Sequence, residues 1–395
     1  MAERLRVLVL NQISAQGLKR LPADRYEVGR DVADPDAILL RSADLHHTPI
    51  AASVKAIARA GAGTNNIPVA AMSARGVPVF NAPGANANAV KELVIAGMLL
   101  AARNLPAALR FVAALDPAAP DLDRAVEDGK KAYAGFELAG HTLGVVGLGK
   151  IGCLVADAAI RLGMDVMGFD PHITVDAAWS LPSQVKKAAS VADVLKHSHF
   201  VTLHVPLVEA TRGLVNADNV ALMKPGAVLL NFSREGVVDD AAVVAALERK
   251  ALAAYVCDFP NAVVHGHERV VALPHLGAST REAEENCARM VIDELRDYLD
   301  HGQVEHSVNF PAVTMARESA WRVAIANANV PNMLGQISTT MARAGLNIHN
   351  MVNKSRGEVA YTLVDVDSPV TDAVLADLRR IDGVLSVRYL PAPGA

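Results

Sequence analysis

The twelve residues HTLGVVGLGKIG at 141–152 limit what this chain can fold into more than any other stretch. Gly147, Gly149 and Gly152 form G-x-G-x-x-G directly after an apolar, strand-like run and directly before a helical pattern. In such a unit the first glycine allows a tight turn. The second lets a pyrophosphate approach the backbone, and the third permits close helix–strand packing. The helix that starts at Lys150 and Ile151 presents its unpaired amides to the anion. A bare glycine fingerprint is weak evidence, because glycine turns are common. Here the next strand-like run, Asp165–Phe169, ends in Asp170, where an acid that binds a ribose is expected. No Arg or Lys follows in PHITV (171–175), so NAD is expected over NADP, with His172 the one residue that weakens the preference.

The rest of the chain agrees with a sheet-and-helix architecture. At 395 residues it is long enough for two or three domains, and 51% hydrophobic against 20% charged residues supplies several cores. Lys plus Arg is 38 and Asp plus Glu is 42, with no basic run, which argues against nucleic acid or an anionic membrane surface as partner. The longest strongly apolar stretch, Leu93 to Ala102, is half of what a bilayer crossing needs. The opening MAERLRVLVLN reads as a first strand rather than a signal core, and a cytoplasmic protein is expected. Cys153, Cys257 and Cys287 give neither a disulfide framework nor a zinc pattern, so no metal is expected.

Strand patterns at Arg6–Leu10, Ala37–Leu40 and Val77–Phe80 alternate with helical patterns at Ser53–Ala60 and Val69–Arg75. One long helix is predicted over 85–104 and another from Arg281 to Leu299, with strand–helix alternation from Leu143 to about Leu273 between them. Beyond a weakly patterned stretch the order becomes βαββαβ, a small ferredoxin-like unit. The expected fold is α/β: a doubly wound Rossmann NAD domain (93–286) inserted in a flavodoxin-like substrate domain (1–92 and 287–310). A linker (311–319) and an α+β C-terminal domain (320–392) follow.

Two segments carry side chains able to do chemistry. In NFSREGVVD (231–239) Arg234 follows an apolar run, at the carboxyl end of a strand, where a guanidinium could grip a carboxylate with two parallel hydrogen bonds. In ALPHLGAST (272–280) His275 ends another such run, where a neutral imidazole could take a hydroxyl proton. Taken alone, each is more often a surface ion-pair member or a structural hydrogen-bonder.

Together with RAGAGTNNIPVAA (59–71), NAPGANANAVKELV (81–94) and LHVPL (203–207), these motifs stand in an order that resembles the D-isomer-specific 2-hydroxyacid dehydrogenases over nearly the whole chain. The resemblance implies hydride transfer between a 2-hydroxyacid and NAD, with His275 as acid/base and Arg234 on the substrate carboxylate. It places Asp258, His204 and Pro206 against the cofactor, the amides of Ala62 and Gly63 around the carboxylate, and Asn86 on the substrate side. Arg41 and Ser42 match the pair that receives the phosphate of a phosphorylated 2-hydroxyacid. The C-terminal unit resembles an ACT domain, which implies self-association as a homodimer or homotetramer and L-serine as effector, with Asn327, Asn329 and Asn347 at the effector positions.

One departure stands out. The family places a glutamate shortly after the segment that here reads CDFPNAVVHGHERVV, and Ala262 and Val263 occupy its place. A carboxylate beside an imidazolium favours the charged form and holds the ring's tautomer, so its absence predicts a lower pKa and a looser ring at His275. Glu268 is nearby in sequence, five residues beyond Val263. Two alternatives stay open at this point: a dehydrogenase of another 2-hydroxyacid, such as glycerate or 2-hydroxyglutarate, and an NAD-binding regulatory protein.

Overall fold

The computed structural model describes residues 4–392. Its contacts divide the chain into two units, one made of Met1–Asn86 with Glu284–Ala395, the other of Ala87–Ala283. The first unit opens with a five-stranded sheet of β1 (Leu5–Val9), β2 (Tyr26–Gly29), β3 (Ala37–Leu40), β4 (Ala56–Arg59) and β5 (Val79–Phe80). All neighbours are parallel and the order is β2-β1-β3-β4-β5, the flavodoxin-like order. β4 lies inside the stretch predicted as a helix, Ser53–Ala60. Its Ala56, Ile57 and Ala58 are fully buried, and a run covered on both faces loses the alternation that marks a strand.

The second unit carries a seven-stranded sheet: β6 (Thr142–Val146), β7 (Asp165–Phe169), β8 (Lys186–Lys187), β9 (Phe200–Leu203), β10 (Ala227–Asn231), β11 (Leu252–Cys257) and β12 (Val270–Ala272). The order β8-β7-β6-β9-β10-β11-β12 is the dinucleotide-binding order extended by one strand, again all parallel. Its direction reverses between β6 and β9, the place where such sheets open a crevice at their carboxyl ends. The helix Ala87–Ala102 lies against this sheet, and a Cβ on its Gly97 would come within 2.9 Å of Phe232. No single helix among the described residues is long and apolar enough to cross a membrane.

The first unit ends in a four-stranded antiparallel sheet of β13 (Trp321–Ala328), β14 (Ile348–Arg356), β15 (Val359–Val366) and β16 (Val384–Pro391), ordered β14-β15-β13-β16. Alternation splits its strands between two cores. Val323, Ile325, Val364 and Val366 meet the helices Met333–Arg343 and Asp372–Arg379, through Ile337, Met341 and Leu378. Ala324, Ala326, Tyr361, Leu363 and Leu390 face the other way, into a core shared with Tyr298, Leu299, Phe310 and Val313.

The segment expected as a linker is therefore packed. Val313 is fully buried, Met315 nearly so, and Val304 and Val313 exchange backbone hydrogen bonds. The C-terminal sheet also caps the helix Arg281–His301, whose last carbonyls have no partner within the helix. Arg388 donates to Tyr298 O and Leu299 O (3.0 and 2.8 Å), Arg322 to His301 O (3.1 Å), and Tyr361 Oη to Gly302 O (2.8 Å). Cations suit that end of a helix dipole. Arg322 is itself fully buried and grips Asp365 with two bonds, 2.6 and 2.9 Å.

Candidate active site

The three fingerprint glycines meet three different demands. Gly147 has φ +92°, and a Cβ there would lie 2.4 Å from the His204 carbonyl oxygen. Gly152 presses on the turn itself, its missing Cβ only 2.0 Å from Gly147 O. Gly149, just before the helix Lys150–Arg161, meets nothing within 4 Å, which leaves open space at the helix start where a pyrophosphate would sit. The Asp170 carboxylate accepts from Leu148 N (2.9 Å) and His172 N (2.8 Å), so the acid is pinned to the fingerprint turn. Beside it a cavity of about 430 Å³ is walled by Leu148, Pro171, Ile173, Leu181 and Val185, of a size and polarity that suit a flat purine. These residues fit an NAD.

At the carboxyl ends of β9, β10 and β11 the polar groups are held rather than loose. His204 shares a hydrogen bond with Thr202 Oγ1 at 3.0 Å, and burial lowers its pKa to about 4, so it is neutral at pH 7. Its Nδ1 is buried without a protein partner. Pro206 follows on the exposed loop. Arg234 is exposed, but its backbone is fixed. Asn231, almost fully buried, donates from Nδ2 to Arg234 O at 2.9 Å and accepts from Ser233 N and Oγ at 3.1 and 2.7 Å. Asn231 was not singled out in the sequence, although an Asn two residues before a Ser at a strand end is a turn-forming signal.

Asp258 links the segments. It is 2% exposed, its Oδ1 has no hydrogen-bond partner, and burial raises its pKa to about 6. A bond from its own backbone amide, the Arg234 charge and a bond from the Gly277 backbone pull the other way. Both the Arg234 turn and the turn after His275 thus act on one buried carboxylate. His275 is exposed, with its ring against Phe259, centroids 4.7 Å apart. In place of the family glutamate stands a turn in which Asn261 Oδ1 accepts from Val263 N and Val264 N, and half-exposed Val263 points no charge inward. Glu268 lies in solvent, 3.7 Å from Arg269.

In the first unit Arg41 and Ser42 follow β3, and Ala62 and Gly63 follow β4. Among the described residues no oxygen accepts from the amides of Ala62 or Gly63, so both donors are available to an anion. Arg59, which the sequence reading passed over, donates from Nε to Arg41 O at 3.1 Å. Its guanidinium lies so close over Gly61 that a Cβ there would be 2.3 Å from Nη1. Two guanidinium side chains and two backbone amides thus stand at neighbouring strand ends. The Arg41 guanidinium is engaged by Glu284 Oε1 at 2.6 Å. Asn11 Oδ1 accepts from Ser42 N (3.0 Å) and fixes that turn, while Asn86 is the last residue before the helix Ala87–Ala102.

The asparagines at the effector positions do not come together within one copy. Asn327, at the end of β13, pairs in register with Ala360, whereas Asn347 precedes the start of β14, where Ile348 pairs with Val366. They lie at opposite ends of the sheet. Asn329 Nδ2 donates to Gly357 O at 3.0 Å, and buried Asn327 donates to Ala328 O, with its own Oδ1 unpartnered.

Residues 95–277 match the family profile "D-isomer specific 2-hydroxyacid dehydrogenase, NAD binding domain". The chain is 33% identical over 340 residues to the D-3-phosphoglycerate dehydrogenase of Haemophilus influenzae, a match that spans 83% of this chain and 79% of that one. It is 32% identical over 341 residues to the enzyme of the same name from Escherichia coli K12, with the same shares covered. Among solved structures, the NAD+-bound 3-phosphoglycerate dehydrogenase of Entamoeba histolytica superposes with a TM-score of 0.62 at 23% identity, over 78% of this chain and 99% of that one. D-2-hydroxyisocaproate dehydrogenase gives 0.63 at 23%, over 77% and 100%. At those identities the two structures speak for the fold.

Proposed function

This chain belongs to the D-isomer-specific 2-hydroxyacid dehydrogenases, and from that premise we propose that it oxidises D-3-phosphoglycerate to 3-phosphohydroxypyruvate with NAD, the entry step of phosphorylated serine biosynthesis. The observation that carries the reading is the buried Asp258 carboxylate, its Oδ1 unpartnered, at the carboxyl end of β11 and next to β10, whose end carries the Arg234 turn. NAD, when bound, accepts the hydride from carbon 2 of the substrate. The helix start at Gly149 would hold its pyrophosphate, Asp170 its ribose and Asp258 its nicotinamide end, with His204 and Pro206 as further cofactor-binding residues.

The chain's own residues supply the rest. Arg234 grips the substrate carboxylate and polarises the adjacent oxygen. His275 takes the hydroxyl proton as the carbonyl forms and returns it in the reverse direction. The amides of Ala62 and Gly63, with Asn86, are assigned to substrate binding by the family pattern. Arg41, Ser42 and Arg59 receive the phosphate. Its phosphate is what separates this acid from glycerate and 2-hydroxyglutarate.

The C-terminal unit is an ACT-like domain whose unpaired β14 edge pairs with a second copy. A serine site that uses Asn347 together with Asn327 and Asn329 needs two copies, because one sheet holds them at opposite ends. A single experiment tests the reading: NADH absorbance with 3-phosphoglycerate, and with 3-phosphohydroxypyruvate in reverse, with and without serine and with glycerate as control. Turnover of glycerate as fast as of the phosphorylated acid would overturn the substrate. NADH binding with no turnover of any hydroxyacid would overturn the enzyme.

A further inference from the structure

The phosphate end of the proposed site contains an ion pair of its own. Arg41 Nη1 and Glu284 Oε1 are 2.6 Å apart, and the two side chains keep 32% and 44% of their exposure. Glu284 lies in the first turn of the helix Arg281–His301, where a negative charge is favoured by the unpaired amides and the dipole. Arg59 adds a second guanidinium, bonded through Nε to Arg41 O. Buried Cys287, one turn further along the helix, lies in the field of all three charges, so these groups form one cluster. The three side chains by themselves sum to a formal charge of +1, two arginines less one glutamate.

We propose that Glu284 is a resident counter-ion and specificity-determining residue of this anion site. Its carboxylate holds Arg41 until a dianionic phosphate displaces it, and weaker anions are refused. The proposal rests on the reading of Arg41 as a phosphate ligand. An exposed pair of this kind is weakly held, so it can be exchanged. A phosphate dianion offers three oxygens and two charges to both guanidinium groups, and it outcompetes one carboxylate. A neutral hydroxyl or a monoanionic carboxylate at the same place meets an Arg41 that is already satisfied. The carboxylate also lowers the affinity for the phosphate it admits, because it remains a like charge nearby. The site thus gives up some affinity in return for discrimination.

The test uses the full-length protein with Glu284→Gln, which keeps the side chain's shape and hydrogen bonding, and with Arg41→Ala. Initial rates are measured with 3-phosphoglycerate and with glycerate, and inorganic phosphate is titrated as a competitive inhibitor. Glu284→Gln is expected to lower both the KM for 3-phosphoglycerate and the inhibition constant of inorganic phosphate by about threefold to tenfold. It is also expected to steepen the rise of that KM with ionic strength, since the local charge becomes more positive by one unit.

If Arg41→Ala abolishes the preference for the phosphorylated acid while Glu284→Gln leaves KM and phosphate inhibition unchanged, the counter-ion role is wrong and the phosphate site stands. If the unmodified protein uses glycerate as well as 3-phosphoglycerate, and Arg41→Ala changes neither, the phosphate reading falls and the proposal falls with it. A melting temperature equal to that of the parent protein establishes that Glu284→Gln is folded. Its exposed position in a helical first turn favours that outcome.

Discussion

Replacing Asp258 by Asn removes a charge the fold holds at a disadvantage. The carboxyl is buried, and its pKa rises from 3.8 to about 6, chiefly through burial. A folded-state pKa above the unfolded one means that the native state binds the extra proton between about pH 4 and pH 6. Native stability therefore falls as pH rises through that window and stays reduced above it. About two pKa units correspond to about 3 kcal/mol. The Asn variant should gain that much relative to the parent at pH 8, and little or nothing near pH 4, where both side chains are neutral. In a chain of this size the gain is a rise in melting temperature on the order of 5 °C. Thermal denaturation of both proteins without cofactor, from pH 4.5 to pH 8, reads it directly. A difference that is the same at both ends of the range would refute the reasoning. The same variant should lose most of its turnover, because a group held against the fold's own preference is kept for what it does.

Three further outcomes follow from the geometry. Arg322→Ala leaves the fully buried Asp365 without its bidentate partner and should cost about 3–5 kcal/mol in urea denaturation. Arg322→Met with Asp365→Leu, which removes both charges, should recover most of it. A glutamate placed at Ala262 or Val263 should shift the alkaline limb of the pH–rate profile for the reduction, which falls as His275 loses the proton it is proposed to donate, to higher pH. An unchanged profile would mean that another group already does this work. Asp170→Gly removes the carboxylate that would repel a 2′-phosphate and frees the amides of Leu148 and His172. The ratio of NADH to NADPH affinity, read by cofactor fluorescence, should fall at least tenfold.

Much of the second unit was legible in the sequence, because its signals are local. A glycine with positive φ, a glycine under a helix and an acid at the end of the next strand are each set by a few neighbouring residues, and Gly147, Gly152 and Asp170 stand where the pattern places them. β4 was misread for the opposite reason. A strand buried on both faces shows only apolar residues, and its identity comes from β3 and β5 on either side. The packed segment at 311–319 was equally hidden. Its burial depends on Tyr298 and Tyr361, which are distant in sequence, and weak periodicity reads as a linker whenever the covering surface is out of view. At the site the pattern held for side chains within motifs and failed for pairs. Arg41 carries a motif; Glu284, 243 positions later and 2.6 Å away, carries none.

That pair gives the helix Arg281–His301 a role at both ends. Its first turn holds Glu284 on Arg41, and its last carbonyls are capped by Arg388 and Arg322 of the C-terminal sheet. From Glu284 to Tyr298 is about 21 Å of continuous helix at about 1.5 Å per residue. A C-terminal module that merely accompanied the enzyme would hang on a solvated tether. Here the connecting segment is anchored by buried Val313 and Met315, the sheet shares a core with the helix it caps, and a fully buried arginine ties the three together. A displacement of the sheet must therefore either break those caps or move the helix, and moving the helix moves the carboxylate paired with Arg41.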